Sequence, residues 1–445
     1  MTFTPSLNQE NRGRTFLFPA IFRGGARMGA SVLVGLSLVG CSPRRGETPS
    51  TPGSPPVVSP SLPSLVYRPQ PIGFAMPARP VIPHLTIADL DGDGLLDVVV
   101  CDGESNRIGW IRQSPRGVFT ETVVGDPVAG PAHVSVCDLN ADGRPDLLIA
   151  SMGSILPNND RIGRVVVMEN LGAGVFHTRT LAENLARVSD VRGADFNGDG
   201  RIDLVVGQFG YVQGEIRWME NLGNWNFRSH ALLDQPGTIT VPPADYDGDG
   251  QIDIAALVSQ DSEAVHLFRN LGGGEFRDLV LWRSKDESWG SSGLDVADMN
   301  RDGLPDLIYS NGDGFDVGVT KPAVWHGLQW LENRGYGDFL YHRIGNMPGC
   351  YSPIAADLNQ DGRPDIVTVS GFNEVMDPQA VWLMSWINQG DAKFVSVPLA
   401  REPTRLITVA AGDIDGNGVP VLVTGGLHIY PPYTHMSRVT LWRRE

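Results

Sequence analysis

The sequence predicts an all-β fold, a propeller of seven four-stranded blades, from three observations. A nine-residue pattern, Asp-x-Asp/Asn-x-Asp/Asn-Gly-x-x-Asp, recurs seven times along the 445 residues, six times in full and once without its final Asp. Short apolar and β-branched stretches flank each copy, as is typical of strands. The chain also contains 53 Gly and 33 Pro, and this density of turn-forming residues argues against long helices.

The spacing of the copies indicates a ring of blades. They begin at Asp89, Asp138, Asp195, Asp245, Asp298, Asp357 and Asp413, so successive copies start 49 to 59 residues apart. Chance would match the first six positions only on the order of 0.02 times in such a chain. A solitary four-stranded sheet leaves both faces exposed, whereas seven sheets packed around a central channel bury them.

Each repeat contains four predicted strands, which we name a to d. An apolar stretch such as HLTIA (84–88) precedes the loop, and a β-branched run such as DVVV (97–100) follows it. A third stretch ends in a turn, as in VVVMENLGAGVF (165–176), and a fourth alternates, as in FRSHAL (227–232). The Asp-rich loop therefore joins strands a and b.

The two ends of the predicted ring complete one blade. The last repeat finishes at VTLWRRE (439–445), which matches strand c, and no strand d follows it. The missing strand is expected from Leu65 to Ile72, which precedes the first loop by the usual distance. The sequence thus predicts one propeller over about residues 64–445, closed by its N-terminal strand, and we expect it to be monomeric.

The N-terminal segment resembles a bacterial lipoprotein signal. Four arginines precede an apolar stretch from Met28 to Gly40, which ends at Leu-Val-Gly-Cys. The resemblance implies a signal peptide over 1–40 and lipid attachment at Cys41, followed by a Pro/Ser/Thr-rich tether over 41–63. The protein is then exported and anchored to the bacterial cell envelope, at the outer membrane where the organism has one. An ordinary secretory signal with a chance Cys is the alternative.

Charge restricts the partners. The chain has 35 basic and 51 acidic residues, a formal charge of -16, which argues against nucleic acid as a partner.

Its four Cys include no Cys-x-x-Cys pair, which argues against a zinc ribbon. Cys101, Cys137 and Cys350 allow at most one disulfide after lipidation.

The loops have the composition of calcium sites. Carboxylate or amide oxygens at positions 1, 3 and 5, a Gly at 6, a carbonyl at 7 and an Asp at 9 supply the hard oxygen ligands that calcium prefers. A helix-loop-helix calcium hand would need Glu at position 12, where the first loop has Val100. The alternative is an acidic turn held only by side-chain hydrogen bonds. We expect the calcium to be structural.

These repeats resemble the FG-GAP, or VCBS, repeats of integrin-α-type propellers, and the resemblance covers nearly all of the chain after the tether. It implies about six calcium ions, with a seventh site weak or empty because Val421 replaces the last Asp. The implied ligands, in loop order and including the position-7 carbonyls, are Asp89, Asp91, Asp93, Leu95 and Asp97; Asp138, Asn140, Asp142, Arg144 and Asp146; Asp195, Asn197, Asp199, Arg201 and Asp203; Asp245, Asp247, Asp249, Gln251 and Asp253; Asp298, Asn300, Asp302, Leu304 and Asp306; Asp357, Asn359, Asp361, Arg363 and Asp365; and Asp413, Asp415 and Asn417.

Candidate ligand-binding residues lie where the repeats diverge. The b-to-c loops vary in length, and variable loops on a rigid scaffold often bind ligands. Five residues before each Asp-rich loop, one register carries His84, His133, Asp190, Thr240, Gly293, Ser352 and Thr408, expected at the channel mouth. The first three form a candidate site, metal-binding or acid–base, with hydrogen-bonded lining as the alternative. Aromatic and imidazole candidates on the same face are Tyr211, Trp289, Trp325, His326, His428, Tyr430, Tyr433 and His435. The strand-c residues Trp110, Trp218, Trp330 and Trp442 are expected to pack between blades.

The sequence therefore predicts a calcium-stabilised, surface-anchored module that binds a glycan or a protein through its b-to-c and d-to-a loops. An enzyme that degrades extracellular polysaccharide, a lyase or hydrolase, is the alternative, since certain pectin lyases also resemble this repeat. It would need a base such as His133 or Lys321. A scaffold in a membrane-associated complex is a third possibility.

Overall fold

A computed structural model describes residues 65–76, 79–156, 158–260, 263–286, 288–315 and 322–445. The predicted signal peptide (1–40), the tether (41–63), the lipidation site Cys41 and the candidate base Lys321 lie outside the described residues. Within them the chain forms seven antiparallel sheets and contains no helix. No helix that could cross a membrane is found in this part of the chain.

Each sheet is one blade, with its strands in the order a, b, c, d. The a strands are Leu85–Ala88, Pro131–Cys137, Val188–Ala194, Thr238–Thr240 with Pro243–Ala244, Ser291–Ala297, Cys350–Ala356 and Leu406–Gly412. The b strands are Asp97–Asp102, Asp146–Ser151, Asp203–Gln208, Asp253–Val258, Asp306–Asn311, Asp365–Ser370 and Val421–Gly426. The c strands are Arg107–Gln113, Gly163–Asn170, Ile216–Asn221, Ala264–Asn270, Gly327–Asn333, Leu383–Asn388 and Val439–Arg444. The d strands are Phe119–Val124, Phe176–Leu185, Phe227–Leu233, Phe276–Arg283, Phe339–Asn346, Phe394–Ala400 and, for the seventh blade, Tyr67–Pro71.

The seven-bladed propeller predicted from the repeats is confirmed, including its closure. Tyr67–Pro71 pairs antiparallel with Val439–Arg444, so the N-terminal strand is the outermost strand of the last blade. The Ile72 amide donates to the Val439 carbonyl at 3.2 Å, which extends this pairing by one residue. Because the first and last strands of the ring share one sheet, unfolding of either strand opens the ring.

Burial within each blade follows strand order. Every residue of all seven b strands is buried, because each b strand has a partner on both edges and a neighbouring blade on both faces. This explains their β-branched composition. The hydrophobic clusters form between blades: Val99 and Trp110 of the first blade pack with Val134 and Leu147 of the second.

Two residue types of strand c connect neighbouring blades. Trp110 contacts Phe176 of the next blade edge-on with ring centroids 6.2 Å apart, and Trp218 contacts Phe276 in the same way at 6.0 Å. The expectation that these Trp residues pack between blades is thus confirmed. At the end of strand c, the Asn170 amide donates to the carbonyl of Leu90, at position 2 of the preceding blade's loop, at 3.0 Å.

The three cysteines of the ring are free thiols, and none forms a disulfide. Cys101 and Cys350 are fully buried, and Cys137 is partly buried. Burial raises the pKa of the Cys137 thiol to about 12, so this thiol stays protonated at neutral pH.

Candidate functional site

The Asp-rich loops share one backbone design. In the first loop the Asp89 carboxylate accepts hydrogen bonds from the amides of Gly92 at 2.8 Å and Gly94 at 2.9 Å. Gly94 has φ +80°, a conformation that L side chains rarely adopt, which explains the Gly at position 6. The fourth loop repeats the bond, since the Gly250 amide donates to Asp245 at 2.8 Å. The first Asp of each loop therefore holds the turn as well as offering oxygen to an ion.

The ninth position of each intact loop is a buried carboxylate. Asp97 is fully buried; its oxygens accept the Gln113 amide at 2.7 Å and the Trp110 indole N–H at 2.9 Å. Burial raises the pKa of the corresponding carboxyls in the second, fourth, fifth and sixth loops to about 6; they are Asp146, Asp253, Asp306 and Asp365. A carboxylate that is costly to ionise gains most from a nearby cation.

The loop geometry fits a divalent cation. Asp89, Asp91 and Asp97 place one oxygen each within 4.8 Å of one another, and Asp245, Asp247 and Asp249 do the same. In the described residues these are the two groups of three His, Cys, Asp or Glu side chains that converge in this way. The His84, His133 and Asp190 side chains do not form such a group.

The loops with Asn at position 3 differ in one respect. The Asn140 amide donates to the Asp142 carboxylate at 3.0 Å, and its oxygen accepts the Asp142 amide at 3.1 Å. The fifth loop repeats the first contact between Asn300 and Asp302 at 2.9 Å. The amide thus lowers the repulsion within the loop while keeping an oxygen at the ligand position.

The a strands of all seven blades line a central cavity of about 830 Å³. Six of the seven residues in the predicted register lie on its wall, and the seventh, Asp190, is buried behind it with 1% exposure. The wall residues of that register are His84, His133, Thr240, Gly293, Ser352 and Thr408. The sequence register therefore identified one ring of the channel.

The structure brings His84, His133 and Asp190 together. The two imidazole rings lie 3.9 Å apart, and His133 Nδ1 is 3.0 Å from Asp190 Oδ1. The other Asp190 oxygen accepts the Thr240 hydroxyl at 2.7 Å, and Arg192 Nε lies 3.1 Å from the same carboxylate. His84 Nδ1 accepts the Val134 amide at 3.3 Å, which orients that ring. The cluster is an oriented imidazole pair beside a neutralised carboxylate.

These contacts determine the charge states of the cluster. Burial alone would raise the pKa of the Asp190 carboxyl, but Arg192, His133 and the Thr240 hydroxyl together hold it well below its usual range. Burial, with the charges of His133 and Arg192, holds the pKa of His84 well below its usual range. Burial also lowers the pKa of His133, in spite of Asp190. Both imidazoles are therefore neutral at physiological pH.

The cavity wall near the b-to-c loops is aromatic. Phe209 and Tyr211 follow strand b of the third blade and meet edge-on, with centroids 5.7 Å apart. Phe315 follows strand b of the fifth blade, and the Tyr351 hydroxyl donates to Asp313 at 2.8 Å. We call Phe209, Tyr211, Phe315 and Tyr351 the aromatic rim.

Sequence reasoning missed most of this site, although one signal was present. Side chains of a strand alternate, so the register three residues before each loop also faces the channel. That register contains Arg192 and Asp295, and both line the cavity. Of the aromatic rim only Tyr211 was a candidate, because the other rim residues lie outside the repeated pattern.

Seven other candidates lie away from the cavity lining: Trp289, Trp325, His326, His428, Tyr430, Tyr433 and His435. Trp289 packs against Trp282 at 5.7 Å between centroids, and Arg343 lies over its ring. His326 is only 4% exposed, and its Nδ1 accepts the Gly349 amide at 3.3 Å. In the seventh b-to-c loop, Tyr430 is half-buried and Tyr433 is 44% exposed.

The FG-GAP-like repeat family model matches residues 89–149, 195–256 and 245–309, which include the first five Asp-rich loops. Cartilage acidic protein 1 of Xenopus tropicalis is 30% identical over 152 residues, and that of Mus musculus is 27% identical over 270 residues. These matches cover 32% and 57% of this chain. The T-cell immunomodulatory protein homolog of Plasmodium falciparum is 24% identical over 263 residues, or 50% of this chain. The matched segments span only 23%, 38% and 35% of the three relatives.

One solved structure with a similar course of the chain is itself described as a propeller. The Dos1 propeller matches with a TM-score of 0.49 at 10% identity, over 81% of this chain and 78% of its own. The repeated loops, the seven sheets and the family match lead to one assignment. The chain is a seven-bladed β-propeller that contains FG-GAP-like repeats.

Proposed function

We propose that this protein is a calcium-stabilised binding module that receives an uncharged glycan at the b-to-c mouth of its central channel. The observation that carries the proposal is the cavity of about 830 Å³, which combines an aromatic rim with a ring of hydroxyl and imidazole groups. Pockets of this size with a few convergent polar groups are typical ligand sites.

The wall chemistry suits a sugar. Aromatic faces at the rim can cover the C–H face of a pyranose, while deeper hydroxyls and imidazoles can exchange hydrogen bonds with its hydroxyls. The Thr408 hydroxyl is 2% exposed and has no hydrogen-bond partner in the part of the chain that the structure describes. Ser352 lies in the same register, one blade earlier. Buried polar groups of this kind gain free energy when a ligand satisfies them.

The charges of the cavity favour a neutral ligand. Arg187 and Arg192 line the cavity together with Asp295 and Asp313, and Arg192 is paired with Asp190 behind the wall. The site therefore has no excess positive charge with which to attract an acidic sugar or a phosphate.

The remaining parts of the proposal are the scaffold and its location. Six loops would each hold a calcium ion that joins strand a to strand b, since all six have the same donor positions as the first and fourth loops, whose carboxylate oxygens converge within 4.8 Å. The lipoprotein-like signal and the Pro-rich tether, read from the sequence, would present the ring at the cell envelope. A protein partner is the competing ligand class.

A glycan array tests this function. The full chain, labelled and in millimolar calcium, should bind a coherent family of neutral glycans. Replacing Thr408 with Val should lower the affinity about ten-fold, because one buried hydrogen bond to the ligand is lost. The exposed Thr120→Val on strand d is the matched control and should bind normally. A silent array would contradict the glycan proposal and direct the search to protein partners.

A second candidate function, polysaccharide cleavage, rests on the 3.0 Å contact between His133 and Asp190. A neutral imidazole whose Nδ1 faces a carboxylate can accept a proton at Nε2, as a general base does. The glycans that bind should then release new reducing or unsaturated ends over time. His133→Gln should abolish this release while the exposed His177→Gln retains it. Binding without product would leave the module as the function.

A further inference from the structure

The seventh loop differs from the other six in charge but not in backbone shape. The Asp413 carboxylate accepts the amides of Asn417 at 2.8 Å and Gly418 at 2.9 Å, and the Asn417 side chain accepts the Val419 amide at 2.9 Å. The first loop makes the corresponding three bonds. The turn is therefore complete although this loop has the fewest carboxylates.

Arg443 pairs with the Asp415 carboxylate of this loop. Its Nε lies 2.8 Å from one oxygen of Asp415, and a terminal nitrogen lies 3.0 Å from the other oxygen. This two-point contact between guanidinium and carboxylate is the strongest geometry for such a pair. The charge of Asp415, at position 3 of the loop, is thus neutralised by the protein itself.

The seventh loop has no net negative charge with which to attract a divalent ion. The Arg116 guanidinium of the first blade lies against Gly416, within the loop. Its two carboxylates, Asp413 and Asp415, therefore face two guanidinium groups. At the ninth position Val421 is 3% exposed and belongs to an apolar cluster, where the other six loops have a buried Asp.

The first loop has an arginine in the same register of strand c, but with a different balance. Arg112 Nε lies 2.5 Å from Asp91, which is one of four Asp in that loop. Arg112 also lies 3.4 Å from Asp93, so within the described residues Asp89 and Asp97 remain there without a guanidinium partner. We therefore expect the effect of the arginine to depend on the number of carboxylates in the loop.

We propose that Arg443 takes the place of the calcium ion in the seventh loop, so that the blade that closes the ring is independent of calcium. This inference rests on the proposed binding of calcium by the other six loops. Arg443 is well placed for the role: it lies on the strand that pairs with Tyr67–Pro71, and its guanidinium also donates to the Gln70 side chain. One side chain thus connects loop, strand c and N-terminal strand.

Amide hydrogen exchange of the full chain, measured in calcium and in EDTA, tests the proposal. Chelation should speed exchange in the first six loops, while residues 413–418 and 67–71 keep the same protection. Arg443→Gln should raise exchange in those two segments at least ten-fold in both conditions. Arg112→Gln, its match in register, should leave the first loop protected in calcium, because the ion still neutralises Asp91. Arg443→Lys, which keeps the charge, should recover part of the protection.

Two hydrogen-exchange results would overturn the inference. One is loss of protection at 413–418 on chelation to the same degree as in the other loops. The other is an Arg443→Gln variant whose exchange equals that of the parent. Calorimetric titration of the chelator-stripped chain should count six ions, and seven would also overturn it. If no loop responds to EDTA, the calcium part of the proposed function fails, and with it the idea that Arg443 replaces an ion.

Discussion

The two ends of the inner strands present opposite kinds of surface. At one end seven loops repeat almost the same residues, and the first Asp of the loop accepts backbone amides that hold the turn. On the channel wall the same register of strand a carries a different side chain in nearly every blade, from His84 to Thr408. The residues that repeat are therefore those that every blade needs in order to fold. A position on this wall whose residue differs from blade to blade can change without destabilising the ring.

The largest expected effect tests whether the repeated face is the scaffold. EDTA should lower the Tm by at least about 10 °C, because each loop held at a hundred times its Kd contributes about 2.7 kcal/mol and six loops lose their ions together. Differential scanning calorimetry in millimolar calcium and in EDTA measures this. Equal melting curves would show that the loops are acidic turns without ions.

On the opposite side of the ring, residues that differ between blades also stabilise the fold, and one substitution there tests this. Arg438 is 5% exposed at the start of the last strand, and it contacts Glu121 at 2.7 Å and Asp102 at 3.1 Å. Glu121 also accepts the Phe74 amide at 2.6 Å, which fixes the chain next to the closing strand. Arg438→Met should lower the free energy of unfolding by about 3–5 kcal/mol, since two buried carboxylates lose their partner.

Urea denaturation measures this loss, and an exposed ion pair supplies the control. Arg228 lies 3.4 Å from Glu220, and its side chain is 59% exposed. Arg228→Met should cost no more than about 1 kcal/mol. Equal effects of the two substitutions would mean that the Arg438 cluster does not stabilise the closure of the ring.

The sequence predicted most of what repeats and little of what does not. The loop count gave the number of blades, and the absence of a last strand d predicted closure by the N-terminal strand, because both follow from a local pattern. The position of His84 and His133 at the channel was predicted because both residues lie five positions before an Asp-rich loop. The aromatic rim did not, since Phe209 and Phe315 come from loops without a repeated length, and their positions depend on contacts across the channel. His326, a candidate from its residue type, is buried, and its Nδ1 accepts the amide of Gly349 in the d-to-a loop that follows.

The smallest expected effect concerns two such buried imidazoles. Burial, with Arg343 near His326 and Arg405 near His428, lowers the pKa of both to about 4. The unfolded chain, with ordinary values near 6.5, therefore binds protons first as the pH falls. Stability that is present above about pH 6.5 should be lost progressively towards pH 4.

The Tm measured in calcium between pH 7 and 4 tests this for the double variant His326→Gln with His428→Gln, which should lose less stability over that range than the parent. His177→Gln, at an exposed position, should follow the parent curve. If the double variant also follows it, the two imidazoles take up protons in the folded ring as easily as in the unfolded chain. They would then be accessible to water, and His326 would return as a residue that a ligand at the b-to-c face can reach. The division between structural and ligand-binding residues on that face therefore depends on the charge state of these two rings.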